Sequence, residues 1–67
     1  MTSNSSIFIS KNHDQYIIIV RENGSYSIYK NGNTLEPLDI EEVPFEIRES
    51  VSLDIKRQIS NLNAKAN

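Results

Sequence analysis

The spacing of apolar residues along this chain changes near residue 39. Before that point they fall in short runs broken by Ser, Asn and Gly, as in "SIFIS", "QYIIIVRE" and "SYSIYK". β-Branched and aromatic residues dominate these runs, and such side chains fit a pleated surface. The spacing predicts strands over residues 6–10, 15–22 and 25–30. "TLEPL" (34–38) is a candidate short fourth strand, and Pro37 lacks the N–H that an interior strand would need, so its place is an edge.

The connections read as turns. "KNHD" (11–14) suits a four-residue hairpin loop, and Asn23-Gly24 between two strand-like runs is a strong signal for a two-residue type I′ turn. A further turn is expected at Asn31-Gly32-Asn33. Residues 1–5, "MTSNS", offer nothing to pack and are expected to be disordered.

Loop lengths fix register, and register fixes faces. A four-residue loop at 11–14 and a two-residue loop at 23–24 place Phe8, Ile17, Ile19, Tyr26 and Ile28 on one face. Ile7, Ile9, Tyr16, Ile18, Val20 and Tyr29 then share the other, because side chains alternate. Both faces are apolar. The first set is the more compact core, which leaves Ile9, Tyr16, Ile18, Val20 and Tyr29 as the expected contact with a partner.

Beyond residue 39 the spacing is helical. Asp39 and Glu42 have the spacing of a capping box, and Pro44 disfavours helix at Val43 while suiting the first turn of a new one. Ile47, Val51, Ile55, Ile59 and Leu62 then form one stripe about 120° wide at 100° per residue. A helix continuous through Ser50–Ser52 is expected, with Leu53 on its far side. The fold class is therefore α+β: an antiparallel meander of three or four strands with a C-terminal amphipathic helix on one face. Residues 6–67 make a single small β-β-β-(β)-α domain.

Composition narrows the function. At 67 residues without cysteine, the chain has no disulfide to support a small core, and His13 is its one histidine. Structural zinc usually takes four Cys or His ligands, so neither a metal nor any other cofactor is expected. The start lacks the basic and apolar regions of a secretory signal, and no window has the 18 or so apolar residues of a membrane span. A cytoplasmic protein without membrane contact is the expectation.

Charge is unevenly spread. The net value is −2, but residues 36–49 carry Glu36, Asp39, Glu41, Glu42, Glu46 and Glu49 against Arg48 alone. That segment is first of all a solvated, helix-starting stretch. As a functional feature it would steer a basic partner, with Glu36, Glu41 and Glu42 at the rim of the contact.

No catalytic residues can be named. His13 lies in a loop with no orienting group and no nucleophile assembled with it, and an exposed loop histidine is the plainer account. A small non-catalytic protein-interaction module (an adaptor, regulator or inhibitor) is the expected function, with a protein partner or a homo-oligomer. The alternatives are a structural subunit of a larger assembly, or a nucleic-acid-binding module using Arg21, Tyr26 and Lys30. The acidic balance and few cations oppose nucleic acid.

Overall fold

The computed structural model describes residues 3–66. Four strands, β1 (Ser3–Ile9), β2 (Gln15–Arg21), β3 (Tyr26–Lys30) and β4 (Asn33–Leu38), form one antiparallel sheet in chain order. A short 3-10 turn (Ile40–Glu42) and a long helix, α1 (Phe45–Ala66), follow. The fold is thus the expected α+β meander, with the fourth strand present. β2 is central, with every second side chain buried, and Pro37 lies in the edge strand β4, as its missing donor requires.

Three expectations are corrected. Residues 3–5 belong to β1 and pair with Ile19–Arg21; residues 1 and 2 lie outside the described residues. Strand β1 gains these positions because its partner β2 is long enough to bond them.

The second correction is the turn at Asn23-Gly24. Arg21 and Ser25 close the ladder, with the Arg21 N–H donating to the Ser25 carbonyl at 2.9 Å and the Gly24 N–H to the Arg21 carbonyl at 3.0 Å. The loop therefore has three residues, 22–24, and Gly24 alone takes a positive φ of 90°. This is a type I turn followed by a left-handed bulge residue. Asn23 serves it through its side chain, whose Oδ1 accepts from the Ser25 N–H and hydroxyl. The type I′ geometry occurs at the other Asn-Gly pair, where Asn31 (φ 52°) and Gly32 (φ 79°) link Lys30 to Asn33.

The first hairpin repeats the three-residue design. The His13 N–H donates to the Ser10 carbonyl and the Ser10 N–H to the Asp14 carbonyl, with His13 at φ 68° in the position Gly24 occupies in the second.

The third correction follows from these loops. Each hairpin is shifted by one residue from the expected register, pairing Phe8 with Tyr16, Ile18 with Ile28 and Val20 with Tyr26. A one-residue shift carries a side chain to a different set of face neighbours. The face with Phe8, Tyr16, Ile18, Val20 and Ile28 is the one the helix covers. Tyr16, Ile18 and Val20, expected at a partner contact, are therefore core residues at 2%, 0% and 1% exposure. Ile17 and Ile19, expected in the core, lie on the open side.

The helix contributes the stripe read from the sequence. Val51, Ile55 and Leu62 are buried, and Ile47 and Ile59 pack against them. The helix runs unbroken through Ser50–Ser52, and Leu53 is exposed on its outer side. At the start of the preceding 3-10 turn, the Asp39 N–H donates to Glu42 Oε2 at 2.8 Å. Val43 is extended before Pro44 and buried. Arg48 reaches back to donate to the carbonyls of Glu41 and Val43, so the one cation of the acidic segment is engaged in joining the 3-10 turn to the helix.

Candidate functional site: the open sheet face

The odd-numbered positions of β1, β2 and β3 point away from the helix. Register brings Ile7 opposite Ile17, Ile17 opposite Tyr29, and Ile19 opposite Ser5 and Ser27. Ile9 flanks Gln15 at one end, and Ser3 meets Arg21 at the other. The result is an apolar patch of Ile7, Ile9, Ile17, Ile19 and Tyr29 fringed by serines, Gln15 and Arg21. Ile7 and Ile9 are 59% and 57% exposed, whereas Ile17, Ile19 and Tyr29 are half-buried by their neighbours.

The expected site residues separate into three places. Ile9 and Tyr29 are on this open face. Tyr16, Ile18 and Val20 are beneath the helix. Glu36 is exposed on β4, and Glu41 and Glu42 are exposed on the 3-10 turn, which Ile40 and Val43 anchor to the core between sheet and helix. The acidic turn thus flanks the covered side of the sheet and does not rim the open face, since the chain must pass from β4 to the helix on the helix's own side.

Three residues of the patch, Ile7, Ile17 and Ile19, are absent from the contact expected on sequence grounds. The available signal is glycine position: in "RENGS", Gly24 can end a three-residue loop as readily as a two-residue one, and only the first option pairs Ile18 with Ile28.

Chemistry elsewhere is sparse. His13 is exposed, and its backbone serves the turn. No group of three His, Cys, Asp or Glu side chains among the described residues could hold a metal ion. Arg21, Tyr26 and Lys30 do not converge: Arg21 lies on the open face, whereas Tyr26 and Lys30 pair with Val20 and Tyr16 on the covered side. Lys30 also faces Asp14 at 3.7 Å. No described helix is long and apolar enough to cross a membrane. Comparison with protein-family models, curated proteins and solved structures gave no match.

Proposed function

We propose that this chain is a small non-catalytic protein-interaction module that works by placing its open sheet face against another protein. The observation carrying this is the juxtaposition of Ile7, Ile9, Ile17, Ile19 and Tyr29 on a surface no described element covers. Contiguous apolar surface of this kind on a small domain marks an interface more often than chance exposure does. Tyr29 adds a large, stiff side chain with a polar tip, a type enriched at protein contacts. The fringe of Ser3, Ser5, Ser27, Gln15 and Arg21 supplies hydrogen bonds without a carboxylate, so the partner surface this face suits is apolar at its centre and neutral to acidic at its edge. Among these residues Arg21 is the only charge.

The test is affinity purification of tagged protein from its own cell, comparing the wild type with Ile17→Lys. Ile17 sits at the middle of the patch and outside the core, so the variant should fold and lose its co-purifying proteins. An identical set of captured proteins from a folded Ile17→Lys variant would contradict the proposal.

A further inference from the structure

The two edges of the sheet differ in how they meet solvent. β4 carries Pro37, Glu36 and a register irregularity against β3, all of which discourage another strand from adding there. β1 has none of these. Its seven residues, "SNSSIFI", include no charge and no proline, and no described strand pairs on its outer side.

The free hydrogen-bonding groups of that edge can be assigned. Ser10 bonds Asp14 across the first hairpin, and antiparallel ladders alternate bonded and non-bonded pairs. Even residues of β1 therefore bond to β2, and the N–H and C=O groups of Ser3, Ser5, Ile7 and Ile9 point outwards. The second hairpin agrees, since Arg21 bonds Ser25 and Gln15 bonds Asn31, leaving the even residues of β2 for β1.

We propose that two copies of the chain join through their β1 strands, antiparallel about a two-fold axis at Ser6, into a continuous eight-stranded sheet. Full overlap of the strand with its copy sets Ser5 against Ile7 and Ser3 against Ile9, so outward-pointing groups meet outward-pointing groups. The axis falls at Ser6, whose small side chain suits the close approach of a non-bonded pair. No like charges meet along the strand.

The helix supports this arrangement. Its main strand contacts are with β1 and β2, and it runs antiparallel to β1, with Gln58 bonded to Asn4 and Glu46 to the Lys11 N–H. Strands lie about 4.8 Å apart. A helix over the β1–β2 seam is then about one spacing from the two-fold axis, and the two helices would lie roughly 9.6 Å apart, inside the usual 8–10 Å for packed helices.

The flank that would meet its copy is suited to it. A groove beside β1 is lined by Phe8, Ser50, Leu53, Asp54 and Arg57, and it includes Leu53, an exposed apolar residue outside the helix stripe. Asp54 and Arg57 bond each other at 2.7 Å. Asp54 is buried, and its second oxygen, Oδ2, has no hydrogen-bond partner. The pairing of Asp54 with Arg57 within each copy offsets the carboxylate that this flank carries to the seam.

This edge contact is separate from the open face, so the two proposals can fail independently. Sedimentation velocity over a wide concentration range should show wild type as a species of twice the 7.7 kDa chain mass. Ser5→Pro removes an outward N–H without breaking a β1–β2 bond, and Leu53→Glu puts like charges across the axis on a residue the monomer leaves exposed. Each should stay folded by circular dichroism and raise the dimer Kd at least tenfold, while Ile17→Lys should remain dimeric. The proposal is overturned if wild type stays monomeric at several hundred micromolar, or if a dimer persists in the folded variants. Loss of the dimer in Ile17→Lys alone would also overturn it, by placing the contact on the open face.

Discussion

The two faces of the sheet have similar apolar content and opposite fates. On one side Phe8, Tyr16, Ile18, Val20 and Ile28 meet the helix stripe, and the central residues are removed from solvent. On the other, Ile7, Ile9, Ile17, Ile19 and Tyr29 keep contact with solvent. Three consecutive isoleucines show the difference at its sharpest. Ile18 is fully buried, and its chain neighbours Ile17 and Ile19 face the other way. Apolar character alone therefore does not decide burial in this chain. The parity of a position, set by the loops, decides it.

The largest expected effect comes from charging the covered face. Ile18→Lys would bury an unpaired ammonium, at a cost of several kcal/mol. Such a loss approaches the whole stability of a small domain, roughly 5 kcal/mol at the low end. Circular dichroism should show an unfolded chain. Retained native signal with a cooperative melt would place Ile18 outside the core.

Truncation should reproduce the contrast more gently. Ile18→Ala should cost about 2–5 kcal/mol, the range for deleting a buried aliphatic side chain. Ile17→Ala should cost about 1 kcal/mol or less, because its side chain is only half-buried. Urea unfolding of the pair checks this, and equal losses would erase the distinction between the faces.

The turns that set parity are the next place to probe. A Cβ added to Gly24, at φ 90°, would meet nothing within 4 Å, so Gly24→Val should act through backbone strain alone. A cost of about 1–3 kcal/mol is expected for a β-branched residue there. An unchanged thermal midpoint would contradict the left-handed bulge.

The smallest effect is a gain. His13 holds the same left-handed position with a side chain that glycine lacks. His13→Gly should relieve about 1–2 kcal/mol of strain and lose about 0.5–1 kcal/mol to unfolded-chain entropy. A net rise of about 0.5–1 kcal/mol, a few degrees in midpoint for a domain of this size, is expected. A lower midpoint would mean that the imidazole makes a contact worth more than the strain.

The elements of this fold are legible in the sequence, and the faces are not. Strand runs, the edge position of Pro37, the Asp39–Glu42 spacing and the helix stripe all follow from local rules, and each appears in the fold. Register does not follow from them. Asn23-Gly24 fits a two-residue loop with both residues left-handed, or the end of a three-residue loop with Gly24 alone so placed. The choice falls to packing, which favours pairing Ile18 with Ile28 and Val20 with Tyr26 under one helix. The expected contact divides for this reason: Ile9 and Tyr29 stay on the open side, while Tyr16, Ile18 and Val20 pass into the core. The acidic segment is legible as composition, but its side of the sheet depends on the route from β4 to the helix.

The most direct test of the two-face contrast is a pair of lysine substitutions at residues 17 and 18, each variant measured by thermal unfolding and by capture of partner proteins. Ile17→Lys is expected to melt cooperatively no more than roughly 4–8 °C below wild type, the shift that about 1 kcal/mol gives in a domain of this size, and to capture no partner. Ile18→Lys is expected not to fold. If Ile17→Lys unfolds and Ile18→Lys remains folded, the faces are reversed and the open-face interface is wrong.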